Sequence, residues 1–405
     1  MAMATDYSPR NAAPPQFVLF AYGFRPFFLL AALDAVANMA IWLTVFLNPQ
    51  VWPDRAIPAM YWHAHEMLFG FVAAAISGFL LTAVPGWTGR KSYGGGPLYF
   101  LTALWLAGRI AMAPLPPFMA IAASVTDLAF FPALALTIAP TLIKARKFRN
   151  LPFIALLALL FLANLCFHLG RLGVLEAGEH IGLAVAIDIV LILIALVGGR
   201  IIPAFTRSGL ARLGGPADIQ SRKWLEIASV ISMLALFAGD IAAPLSKMNG
   251  LVVLAAALIQ GLRLAQWQSH RTWRDPLIWV LHLGYAWLVL GLLLKAAWLL
   301  SAAPWSDKWI HALTAGAFTT MILAVMTRAS LGHTGRALIA PSKIAVCYAL
   351  ISISALVRVF APAAFPLRYE AIITTSALLW VAAFSLFIHI FAPILCKPRA
   401  DGRPG

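Results

Sequence analysis

Charge is scarce in this sequence. Only 11% of its 405 residues are Asp, Glu, Lys or Arg, where soluble domains carry about 25%. Hydrophobic residues make up 62%. So much apolar surface cannot be hidden in one soluble core, which excludes a soluble domain and predicts a polytopic membrane protein. Acidic residues are the scarcer sign, 15 against 30 Lys and Arg. Cysteine is nearly absent. Cys166, Cys347 and Cys396 form no CxxC and no CxxCH, which excludes a zinc ribbon and a covalently attached c-type haem. Cys166 lies two residues from His168, but a small apolar side chain in a helix is its plain reading. Residues 1–16 are polar and proline-rich, without the apolar run of a secretory signal. The first helix is then expected to serve as the targeting signal. The longest connection, Ile201 to Lys223, is too short to fold alone.

What is present is a series of apolar runs. They predict an all-α fold with twelve membrane helices. The expected spans are 25–47, 65–84, 97–113, 118–143, 151–170, 180–204, 224–246, 249–268, 276–301, 308–328, 342–361 and 370–395. Pro, Gly or charge clusters bound them, as at Pro114 to Pro117 and Gly214 to Pro216. The expected organisation is one membrane domain over 1–405, with a short N-terminal segment at 1–24 and a tail at 396–405. Basic residues give an orientation. With the N-terminus inside, 22 of the 30 Lys and Arg fall in inner segments, among them Lys144, Arg146, Lys147 and Arg149. By the positive-inside rule both termini are cytoplasmic. The net charge of +15 is read as a topology signal and a match to lipid headgroups. Spread over short loops, it does not point to nucleic acid.

One stretch, "AMYWHAHEMLFGFV" at 59–72, sets His63, His65 and Glu66 just before a charge-free run, Met67 to Val84. The topology makes this part of a pattern. His63 and His65, His168, His180 and His311 all fall at one outward level, on four predicted helices. Any one of them reads plainly as an interfacial imidazole. Together they suit a metal site, because imidazole is a common ligand for haem iron and copper and a bundle site draws ligands from several helices. A repeat adds to this. "HEMLFGFVAAAISGFLLTAVPGWTGR" (65–90) aligns without gaps on "HALTAGAFTTMILAVMTRASLGHTGR" (311–336). His65 falls on His311, Gly70 on Gly316, and Thr88-Gly89-Arg90 on Thr334-Gly335-Arg336. The sixth helix follows this plan loosely from His180. Three four-helix units with a weak threefold repeat are expected. Small residues follow the histidines: Gly70, Ala73, Ala74, Ser77 and Gly78, then Ala315, Gly316, Ala317 and Thr319. Close helix packing is their plainer reading; room for a flat ring is the alternative.

Charges within apolar spans are costly and suggest function. Asp34, Asp127 and Asp188 are candidates for ion pairing, for bonding to ligand imidazoles, or for a proton or hydrogen-bond relay. A water joining His180 to Asp188 is one such route. Arg109 and Lys295 are expected to snorkel outward. The inner Arg90, Arg200, Arg207, Arg328 and Arg336 read as topology anchors.

At these motifs the sequence resembles the NnrS family. The resemblance covers nearly the whole chain. It rests on "FRPFFLLAAL" (24–33), "WHAHEMLFGF" (62–71), "GFLLTAVPGWTGR" (78–90), "NLCFHLG" (164–170), "GGRIIPAFTRSGL" (198–210) and "AVMTRASLGHTGR" (324–336). It implies a bacterial inner-membrane protein containing haem and copper, linked to denitrification and to the response to nitric oxide. The layout also looks like the main subunit of the haem–copper oxidases, in arcs of four helices. It departs from them in lacking a histidine on the seventh helix and in carrying His-x-His on the second helix instead of the tenth. The expected site follows. His65 and His311, at equivalent repeat positions, are the candidate axial pair for haem b. His63, Glu66, His168 and His180 are the candidate copper set. The rival expectation is a transporter or accessory protein for metal, haem or a small ion.

Overall fold

The computed structural model describes residues 18–52, 57–113, 119–216 and 218–403. The expected N-terminal segment before residue 18, the Pro114 to Pro117 boundary and the last two residues lie outside these. The described residues fold into twelve helical rods: α1 (Phe24–Leu47), α2 (Ala59–Thr88), α3 (Gly96–Ala111), α4 (Ala120–Lys144), α5 (Pro152–Arg171), α6 (Gly178–Arg212), α7 (Lys223–Ala242), α8 (Lys247–Gln266), α9 (Pro276–Ser301), α10 (Pro304–His333), α11 (Ile344–Ala364) and α12 (Tyr369–Cys396). All but α3 are long and apolar enough to cross a membrane. With 16 residues, α3 reaches about 24 Å. Exposed Ile110, Ile121, Val125 and Leu136 give the outer helices an apolar surface suited to lipid.

Successive rods pack side by side, and α1 closes the ring against α12. α2, α6 and α10 touch one another. These are the three helices singled out by the repeat. α2 and α6 are the most buried spans, and α7 is the least. Small residues permit the close approach. A Cβ on Gly78 would meet the Phe28 ring at 2.6 Å, and one on Gly316 would meet the Trp287 ring at 2.6 Å.

Four local features differ from the expected spans. α2 begins at Ala59, six residues early, so His63 and His65 lie within the helix. α6 runs on to Arg212 through Pro203. Both α2 and α10 widen into a π turn, at Glu66–Val72 and Ala312–Phe318. These turns follow directly on His65 and His311, so the repeat extends to an uncommon backbone feature. α4 is broken after Leu128. Pro132 explains the break, since it lacks the N–H that would bond to Leu128 and its ring crowds that carbonyl.

Candidate metal centre

Near the end of the bundle where α2 begins, polar side chains converge inside the apolar packing. α2 supplies His65 and Glu66. The last turn before the α4 break supplies Asp127. α5 supplies Asn164 and His168, four residues apart and therefore on one face. All five are buried. His65 Nδ1 lies 2.9 Å from Glu66 Oε1, and its Nε2 lies 3.0 Å from Asn164 Oδ1 and 3.2 Å from Asp127 Oδ2. His168 Nε2 is 3.0 Å from the same carboxylate oxygen. Asn164 Nδ2 donates to it at 2.7 Å, which fixes the amide orientation. His65, Asp127 and His168 each offer a ligand atom within 4.8 Å of the others. The rings of Phe69 and Phe167 flank His65 at 4.8 and 4.5 Å and keep water away.

Arg109 of α3 ties the group together. It donates to Glu66 Oε1 at 2.6 Å and to Asp127 Oδ1. Removing it would leave two carboxylates buried and unpaired, at a cost of several kcal/mol. Arg109 therefore does not snorkel outward as expected, because two buried anions hold it in place. Asp34 of α1 reaches the same group. Its Oδ2 and Arg109 Nη1 crowd the position a Cβ on Gly70 would take, at 2.7 and 3.2 Å. That oxygen is buried without a hydrogen-bond partner among the described residues.

Two features of this nest call for a cation. A neutral imidazole has one N–H and one lone pair, yet both nitrogens of His65 face oxygen acceptors. A second proton or a metal ion must sit at Nε2. Charge says the same. Glu66 and Asp127 are two carboxylates in direct contact with the one guanidinium of Arg109, so neutral histidines leave this hydrogen-bonded group anionic. The donor set of two imidazoles and one carboxylate suits a divalent first-row metal. Glu66 on Nδ1 would then orient the His65 ring and leave Nε2 free to ligate.

A family model described as NnrS protein matches residues 18–399. The chain belongs to the NnrS family. No curated protein matches it. In this NnrS chain the expected residues separate into groups. His65 turns to Glu66, Asp127 and His168. His311 is not brought to His65; its electrostatic neighbours are His63, Arg358 and Lys308. The helix faces beside Gly70 and Gly316 are filled by Asp34 with Arg109 and by Trp287, so they leave no room for a flat ring there. His180 is exposed at the start of α6 and takes no part in the His65 group. Asp188 is buried beside Asp240 and Lys295. Lys295 pairs with Asp240 and lies over the Trp309 ring at 4.8 Å, so it too is paired inward where snorkelling was expected.

Sequence reasoning missed Asn164 and the pairing role of Arg109. Asn164 had a signal, its i, i+4 spacing from His168 within "NLCFHLG". Among the remaining histidines, His282 is satisfied by Thr206 and Ser269 at 2.9 Å each.

Proposed function

We propose that this chain is an integral membrane protein of the nitric oxide response that contains haem b and copper, with the copper held by His65, Asp127 and His168. The whole of 1–405 acts as one membrane domain in a bacterial inner membrane, with the histidine-bearing end outward. The observation that carries the copper assignment is the convergence of three buried donors in an anionic nest. Copper stands highest in the divalent affinity order for such a set. Bound there, it would supply a site for a small ligand and a one-electron couple. The protein residues have separate tasks. Glu66 orients the His65 ring. Arg109 holds both carboxylates in register. Asn164 positions Asp127. Phe69 and Phe167 exclude water. Nitric oxide is small and apolar enough to reach such a site from the lipid. Haem rests on family membership, together with imidazoles that the copper set leaves unused.

The test is an absorption spectrum and metal analysis of the protein purified in a mild detergent. Copper near one per chain is expected, falling below a tenth of that in His168→Ala and Asp127→Ala. Parent-level copper in both variants would reject the site. A colourless parent free of copper, iron and zinc would favour the transport reading.

A further inference from the structure

The histidines of the "WHAHE" stretch point to two different places. Residues two apart on a helix differ by about 200° in direction. His65 takes one face and is fully engaged there. His63 takes the other. Its ring stacks on Trp42 of α1, with centroids 4.5 Å apart and planes 14° apart. Its Nδ1 is buried without a hydrogen-bond partner among the described residues. His311, from the facing inner helix α10, is its electrostatic neighbour, and Arg358 of α11 lies close to both. Lys308 is close to His311. Arg358 bonds to Tyr369 and keeps a buried Nη1 that has no partner among the described residues. The acidic group nearby is Asp307, which is paired with Lys308.

We infer that His63 and His311 would hold the haem iron, with Arg358 meeting a haem carboxylate. This rests on the reading of the protein as a haem protein and changes which residues hold the iron. Burial without a partner is costly for a polar atom, and here two such atoms sit in one group. They ask for different things. Arg358 Nη1 needs an anionic acceptor. His63 Nδ1 belongs to a ring with no hydrogen bond among the described residues. A neutral imidazole carries one lone pair, which each of the two rings can offer to a Lewis acid. A haem carries a Lewis acid and two carboxylates on one rigid frame. A free oxyanion would satisfy Arg358 and leave both lone pairs unused. Trp42, face to face with His63, fixes the plane of that ring. The centre with His65 is left to the other metal.

The experiment compares His63→Ala, His311→Ala and His65→Ala in purified full-length protein. It reads haem per chain, the low-spin signal in optical and paramagnetic resonance spectra, and copper per chain. His63→Ala and His311→Ala should each lose the low-spin signal, with haem content down about tenfold and copper unchanged. His65→Ala should lose copper and keep the haem spectrum. His63→Gly supplied with free imidazole should regain the low-spin signal, which a merely misfolded variant would not. An unaltered haem spectrum in both His63→Ala and His311→Ala overturns the inference, and the coloured parent then leaves the haem reading intact. The same holds if His65→Ala is the variant that loses the low-spin signal. A parent with copper but no haem defeats the haem reading and this inference together.

Discussion

Glu66 is bound on both sides by charge. Its Oε1 accepts from Arg109 and faces His65 Nδ1, so a single oxygen joins the buried cation to the proposed ligand. A carboxylate in that position sets the tautomer of the imidazole and raises its basicity. Glu66→Gln keeps the volume and an acceptor oxygen but removes the charge. We expect copper affinity to fall by about 10- to 100-fold, measured by competition with a chromophoric chelator, while the haem spectrum stays as in the parent. Unchanged affinity would reduce Glu66 to a structural partner of Arg109.

The π turn of α2 matters for the same centre through geometry. An extra residue in one turn shifts the face of everything before it relative to everything after it. His65 is thereby aimed at α4 and α5 and Glu66 at Arg109 of α3, while Gly70 still meets Arg109 and Asp34. In α10 the Thr319 hydroxyl donates to Thr314 O at 3.1 Å, five residues back, as the wider turn allows. Deleting Met67 would restore an ordinary α turn and rotate the first part of α2 by about 100°. The expected outcome is a membrane-inserted protein with less than a tenth of the parent's copper, read by mass spectrometry on the purified variant. Parent-level copper would mean that the wider turn plays no part in aiming His65.

For the whole molecule the polar groups divide between two ends. The proposed metal ligands cluster where α2, α6 and α10 begin, and Lys144 to Arg149, Arg200 to Arg212 and Lys223 gather at the opposite end. The positive-inside rule then requires that opposite end to be cytoplasmic. Reporter fusions within 144–150 and 207–222 should read as cytoplasmic, and fusions within 171–179 as external. The reverse pattern would turn both proposed metal centres toward the cytoplasm.

Hydropathy and spacing alone determined that this is a bundle of helices, eleven of them of membrane length among the described residues, because apolar runs bounded by Pro, Gly and charge have few other solutions in lipid. The match of 65–90 to 311–336 likewise marked α2 and α10 as equivalent before their contacts and shared π turns were seen. The one-residue alternation of the "WHAHE" stretch even required His63 and His65 to face apart. Only the tertiary structure decided which of them met which partner. Rotation about α2 depends on the π turn, and a period of 3.6 residues read from the sequence carries no warning of an extra residue. The aim of Asp127 depends on the break at Pro132 and on Arg109, which comes from another helix. Arg109 and Lys295 read as snorkelling side chains because their partners, Glu66 with Asp127 and Asp240, lie far away in the chain. A buried charge is settled by what packs against it, and that is a property of the fold.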